Sequence, residues 1–275
     1  MSIIVNTNIS ALAIQSNLSE ATGSLAKHMQ RLSSGVRINS AADDAAGLAL
    51  SNKLQAQISG STVAKNNAQT GVNMLQVAET DLAEIADKVQ RMRDLAVQSA
   101  NGIYSATERA SLNTEYQNLR TEIDRIAGSS SFSEIKLLNG TATSVVLQVG
   151  TNNSADDRVD ITSYFSNSTS ASLGLPADIN SQTNAQNAMA TIDTVANTIS
   201  TRRSNIGAMV NRLQGTITRV DARQAELSNA NSTILDADIA SESAAFTRSQ
   251  ILQQTSASLL QQANQMPSIA LKLVQ

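Results

Sequence analysis

Asp43 and Asp44 stand side by side in "RINSAADDAAG" (37–47), and His28 is the single histidine of this 275-residue chain. Paired aspartates in a loop could do acid–base chemistry, and a histidine could act as a general base or ligate a metal ion. Neither arrangement is completed. No histidine, cysteine or paired glutamate lies beside the aspartates, and His28 follows Leu25 by three positions on a predicted helix, where a structural or surface role suits it. The chain has no cysteine at all, which removes disulfides, thiolate catalysis and thiolate metal sites together. No H-E-x-x-H, P-loop, G-x-S-x-G or dinucleotide-binding fingerprint occurs. The sequence therefore predicts a protein that is not an enzyme, with no catalytic, cofactor-binding or metal-binding residues.

The aspartates have a structural reading instead. Ser40 precedes Asp43 by three positions, the spacing of a capping box with Asp in place of Glu or Gln, and the helix dipole favours negative charge at a helix start. Ser33-Ser34-Gly35, just upstream, then marks a pause between two helices.

Those helices are legible from their apolar period. Ile192, Ile199, Ile206, Leu213, Val220, Leu227 and Ile234 fall seven residues apart, with Val195, Met209, Val210 and Ile217 as a second row. At about 1.5 Å per residue this helix runs roughly 65 Å. The next step is eleven residues, to Ala245, and the seven-residue beat then resumes through Leu252, Leu259, Met266 and Leu273. "LDAD" (235–238) sits in that longer step, where two helical sections meet. The N-terminal end repeats the plan with Ile4, Ala11, Leu18, Leu25 and Leu32. A further helix carries Leu75, Leu82, Val89 and Ala96 beside Ala78, Ile85 and Met92, and "SANGIYS" (99–105) breaks it. Leu112, Tyr116, Leu119, Ile123 and Ile126 mark a shorter helix ending at Gly128-Ser129-Ser130.

Between 128 and 180 the pattern changes. "SVVLQVG" and "DRVDITSYF" are rich in β-branched residues around the turn segment "TNNSADD", which predicts a small hairpin region. "TSYFSNSTSAS" (162–172) reads as a solvated loop or as a surface for attached sugars. The fold class predicted is mainly α, with long antiparallel helices forming coiled-coil or bundle rods around a small β-hairpin region.

Composition agrees with helices packed along seams. Aromatic residues make up only 2% of the chain, with no tryptophan, and there are just 2 prolines, Pro176 and Pro267. A formal net charge of −3 offers no basic field for nucleic acid, and no stretch of apolar residues is long enough to insert into a membrane. A soluble chain is expected. The first residues lack the basic and apolar regions of a cleaved secretory signal, so an exported chain would use another route. A lone helix with one apolar stripe has nothing of its own to bury that stripe against. The two terminal stripes can pair with each other, and the surface left over needs further copies of the same chain. Self-assembly is the function this predicts.

"LSSGVRINSAADDAAGLALSNKLQAQI" (32–58), "VQRMRDLAVQSANG" (89–102), "TEIDRIAGSSSF" (121–132) and "SQILQQTSASLLQQANQMPSIALKLVQ" (249–275) resemble bacterial flagellin, in its order and over almost the whole helical portion. Ala42, where the family often has Lys, and the C-terminal Gln275 are small departures. The resemblance implies a subunit of the flagellar filament, many copies of which form a tubular propeller; the alternative is a hook–filament junction protein, which shares the terminal helices. It implies an inner coiled-coil domain of residues 1–40 and 236–275, an outer helical domain of 41–127 and 181–235, and a surface hairpin region at 128–180, the large outer domains of longer flagellins being absent. It also implies extracellular localisation after type III export without signal cleavage. Export chaperone, cap and junction proteins are the partners that follow. In flagellins sensed by Toll-like receptor 5, the contact surface matches Gln90, Arg91, Leu95 and Glu115 here, with Leu95 flanking the seam. Polymerisation falls to the terminal rows, Ile4 to Leu32 and Ala245 to Leu273.

Overall fold

The computed structural model describes residues 8–142 and 144–274, with side chains through Gln265. Ile4 and the side chains of Met266 and Leu273 lie outside the described residues. The helices are α1 (Ile9–Ser34), α2 (Ala45–Ser99), α3 (Ala106–Ser129), the short α4 (Ser170–Leu173), α5 (Gln182–Leu235) and α6 (Ile239–Val274). Between α3 and α5 lie two small antiparallel sheets, β1 (Ser131–Phe132) with β2 (Ile135–Lys136) and β3 (Val146–Gln148) with β4 (Arg158–Asp160). The chain divides into two compact units, one of Met1–Ala56 with Glu226–Gln275 and the other of Gln57–Ala225.

The unit Gln57–Ala225 is built on the apolar rows that the sequence displays. Leu75, Ala78, Leu82, Ile85, Val89, Met92 and Ala96 of α2 are fully buried, as are Ile192, Ile199 and Leu213 of α5, with Val195, Ile206 and Met209 nearly so. Further along α5, Val220 is only half-buried. Ion pairs flank this core, Arg203 with Glu79 at 2.7 Å, Lys65 with Asp221 at 2.8 Å and Arg93 with Asp193 at 2.5 Å. They are exposed pairs, open to water and salt, so they orient the helices more than they hold them. α3 adds Tyr116, Ile123, Ile126 and Ala127 to the same core. The Tyr116 hydroxyl donates to the Pro176 carbonyl at 3.2 Å, and burial pushes its pKa up to about 12.

The β3–β4 sheet packs on α2 where α2 has a glycine. A Cβ at Gly71 would overlap Leu147 Cδ1, and the Asn67 side chain donates to the Gln148 carbonyl at 3.0 Å. Strand pairing runs Val146 to Asp160, Leu147 to Val159 and Gln148 to Arg158. This is the predicted hairpin. The β1–β2 pair was not predicted, because its turn uses Ser133 and Glu134 at positive φ (46° and 72°) where a turn usually displays Gly or Asn.

The first unit contains both joints. Gly35 ends α1 in the left-handed conformation at φ 71°, its amide donating to the Arg31 carbonyl at 2.8 Å, as a helix-terminating glycine does. The following segment pairs with the α5–α6 joint through Arg37 N to Leu235 O at 2.7 Å and Ala237 N to Gly35 O at 3.0 Å. The eleven-residue step in the apolar row is therefore a break between helices. Asp238 starts α6 by accepting from the Ala240 and Ser241 amides at 3.0 and 3.3 Å.

Candidate assembly surface

The paired aspartates divide the work expected of them. α2 begins at Ala45, so Ser40 is not its cap. Asp44 is: its Oδ1 accepts from the Gly47 amide at 2.8 Å, and its carbonyl takes the first helical bond, from Leu48 N. Asp43 folds back instead, accepting from the Asn39 and Ser40 amides and the Ser40 hydroxyl, and pairing with Lys27 at 3.0 Å. The Lys27 ammonium first, then these amide donors, hold the Asp43 carboxyl down at about 2. Among the described residues no group of three or more His, Cys, Asp or Glu side chains could hold a metal ion.

α1 packs along α6, and the two helices use their apolar rows differently. On α1, Ala11, Leu18, Leu25 and Leu32 are half-buried, together with Ile14 and buried Ala21. On α6 the shielded positions are Glu242, Ser249, Ser256 and Ala263, seven apart, with Phe246, Gln253 and Leu260 between them. The predicted row lies beside that seam: Ala245 is half-buried, but Leu252 is 51% and Leu259 46% exposed. Ile251 next to them is also exposed, as are Ile9, Leu12 and Met29 on α1. After pairing with α1, α6 still presents these leucines to water as an uncovered apolar edge.

Polar contacts fix the pairing of α1 with α6. Asn8 Nδ2 donates to the Ala263 carbonyl at 2.8 Å, and Gln253 Nε2 to Thr22 Oγ1 at 3.3 Å. At the other end Glu242 receives Arg31 Nη1 at 3.0 Å and lies 2.6 Å from His28 Nδ1. His28 is thus a structural residue at a helix–helix contact. The bond to His28 first, and the Arg31 guanidinium second, hold the Glu242 carboxyl below its ordinary value of 4.5. A lowered pKa means that this contribution is present above the unfolded-state value and is lost as pH falls through the folded-state value. Protection factors across 239–265, corrected for the intrinsic exchange rate at each pH, are therefore expected to fall on acidification below about pH 4.5, and Glu242→Gln to remove that component of the profile; an identical acid profile in the variant would show that the clasp contributes nothing.

The residues matched to a receptor surface are partly brought together. Arg91 on α2 and Glu115 on α3 form an ion pair at 2.8 Å, both about half exposed, and Gln90 is exposed beside them. Leu95 does not share that surface: it is 1% exposed and lies in the core beneath it. Heptad position placed it at the seam's flank, and the fold buries it within the main core. The sequence reading also missed two polar anchors of the segment before α5. Arg202 Nη1 donates to Asn167 O and Ser168 Oγ, both at 2.8 Å, and Asp124 accepts from the amide and hydroxyl of Ser170, both at 2.7 Å. Burial lowers the Arg202 pKa from its ordinary value. Their only sequence signal is a charge next to an apolar row.

Long paired helices, small hairpins between them and leucines facing away from the helix pair define a helical structural protein. Residues 5–143 match the bacterial flagellin N-terminal helical region, and residues 189–274 the bacterial flagellin C-terminal helical region. A flagellin of Halalkalibacterium halodurans is 42% identical over 272 residues, covering 99% of this chain and 100% of that one. The flagellar filament 33 kDa core protein of Treponema phagedenis is 38% identical over 289 residues, with coverage of 99% and 100%. The crystal structure of Bacillus cereus flagellin superposes with a TM-score of 0.50 at 28% identity, covering 56% of this chain and 88% of that one. The chain belongs to the bacterial flagellin family. It is a short member without a large outer domain, since only residues 130–181 lie between α3 and α5.

Proposed function

We propose that the protein is a structural subunit of the bacterial flagellar filament, polymerising into a helical tube that acts as a propeller when turned at its base. The observation that carries this is the exposed Leu252–Leu259 edge of α6, which remains after α1 has taken the neighbouring face. In this reading residues 1–40 and 236–275 form the coiled coil lining the tube, 41–127 and 181–235 the helical layer around it, and 128–180 the filament surface. The subunit leaves the cell through the flagellar type III apparatus with the help of an export chaperone, and meets junction and cap proteins at the filament ends. Nothing favours the hook–filament junction alternative. Electron micrographs of the concentrated, purified protein should show long tubes of uniform diameter. Dispersed particles at every concentration would overturn the proposal.

The exposed Arg91–Glu115 pair with Gln90 supports a recognition surface for Toll-like receptor 5, Leu95 acting from below by fixing the helix face. Reversing the charge with Arg91→Asp should reduce receptor-reporter signalling roughly tenfold. Helicity and melting should hardly change, because an exposed pair is worth about 0–1 kcal/mol. Unchanged signalling would remove this surface from consideration.

A further inference from the structure

The chain has two Asn-Gly pairs, Asn101-Gly102 in the turn between α2 and α3 and Asn139-Gly140 after β2. They are built for different reasons. Gly140 sits at φ +78°, and a Cβ there would lie 2.8 Å from Asn167 Cβ, so backbone and packing both require glycine. Gly102 is not in the left-handed region, and a Cβ would meet only Gln182 Nε2, at 3.9 Å. Neither turn geometry nor packing explains glycine at 102. Its distinguishing property is an unhindered amide nitrogen.

We propose that Asn101 is a site of spontaneous covalent modification, its side-chain amide closing onto the Gly102 nitrogen to form a succinimide. Three features of the turn favour the step. Asn101 and Gly102 are exposed, and among the described residues the Gly102 amide donates to no acceptor. The Ile103 amide donates to Asn101 Oδ1 at 3.2 Å, which folds the side-chain amide forward over the Gly102 peptide and stabilises negative charge arising on that oxygen. Arg109 Nη2 donates to the Asn101 carbonyl at 2.8 Å, the carbonyl of the very peptide whose nitrogen attacks. A cation on that oxygen makes the Gly102 N–H more acidic, as a charge-assisted bond to the deprotonated form does. Asn139 also has an Oδ1 bonded ahead, to Thr141 N and Oγ1. No donor is found on its main-chain carbonyl among the described residues, and Gly140 is pressed against Asn167.

The chemistry balances without a co-reactant beyond water. The Gly102 N–H proton goes to solvent base, the nitrogen bonds to Asn101 Cγ, and the Cγ–Nδ2 bond breaks as Nδ2 takes a proton back from solvent and leaves as ammonia. Water then adds to either imide carbonyl and opens the ring, leaving aspartate, or isoaspartate with the main chain routed through Cβ and Cγ. Either product adds a negative charge beside Arg109. Isoaspartate also lengthens the main chain where Arg109 holds the carbonyls of Ser99, Asn101 and Tyr104 at 2.9, 2.8 and 2.6 Å, so that fork loses its register.

The test incubates the full chain at mildly alkaline pH and follows the peptides containing Asn101 and Asn139 by mass spectrometry, with isoaspartate quantified separately. Asn101 should convert before Asn139. Gly102→Ala places a methyl group in open space at an unstrained φ, so it should keep wild-type helicity, while obstructed attack slows conversion of Asn101 by on the order of tenfold or more. Conversion at Asn139 first, or a Gly102→Ala chain of native helicity that converts at the wild-type rate, would overturn the proposal.

Discussion

Replacing Leu252 and Leu259 together by aspartate is expected to abolish filament formation while the unit Gln57–Ala225 stays folded. Each leucine is about half exposed on the α1–α6 pair, so covering the rest contributes roughly 1 kcal/mol per side chain at each contact. Aspartate forfeits that gain and adds the cost of drying a carboxylate, which reaches several kcal/mol when no cation meets it. Summed over every subunit contact in a polymer, the change is far larger than a single-site stability effect. The side facing α1 keeps Ser249, Gln253, Ser256 and Leu260, so the variant chain should still pair its own terminal helices. Sedimentation and electron microscopy should find no polymer, with near-native helicity by circular dichroism. Removing Leu252–Gln275 should give the same loss of polymer. Filaments of normal length from either variant would show that this edge does not drive assembly.

Leu82→Ala is expected to have the largest effect on folding. Leu82 is fully buried within the core of the unit Gln57–Ala225, on a long helix that cannot collapse locally around the hole. Large-to-small changes at such sites cost about 2–5 kcal/mol. For a unit of this size that corresponds to a fall in melting temperature of roughly 5–15 °C. Thermal denaturation followed by circular dichroism reads it directly. A shift of only a degree or two would mean that the row from Leu75 to Ala96 is not the stabilising core. Val220→Ala, at a half-buried position of the same helix row on α5, should cost distinctly less.

The contrast between those two positions shows what periodicity can reveal. A seven-residue beat locates helices and the face that will be covered, as it did for α2, α3 and α5, although α5 starts ten residues before the first beat at Ile192 and α2 thirty before Leu75. It cannot say how deep each part of a row lies, because depth depends on which other elements pass over it. The rows are fully buried at the Ala96 end of α2 and the Ile192 start of α5, and burial thins towards Val220. The same limit explains Leu95, on the flank of a row by position and in the core by contact.

α6 taught a different lesson. Its leucines at 252 and 259 keep the seven-residue beat, yet the face against α1 is made of Ser249, Gln253, Ser256 and Ala263 with Phe246 and Leu260. Hydropathy picks out the row that most needs shelter, and within one chain that row need not be the one that receives it. Capping was legible in kind and misplaced in register. The aspartates at 43 and 44 mark a helix start, but two acceptors in succession leave open which of them caps, and the Ser40–Asp43 turn intervenes. Ser105 and Glu108, an unread capping box at the start of α3, had the right spacing all along. The β1–β2 turn, the Arg202 and Asp124 anchors and the Glu242 clasp depend on partners from 3 to 214 positions away in sequence, with no local signature to betray the distant ones.

The central claim is that the apolar edges of the terminal helices find cover only between copies of the chain. Hydrogen–deuterium exchange across 239–265, compared between verified monomer and polymer, tests it most directly. Backbone amides around Leu252 and Leu259 are expected to exchange readily in the monomer and to become strongly protected on assembly. Equal, strong protection in an isolated monomer would contradict it.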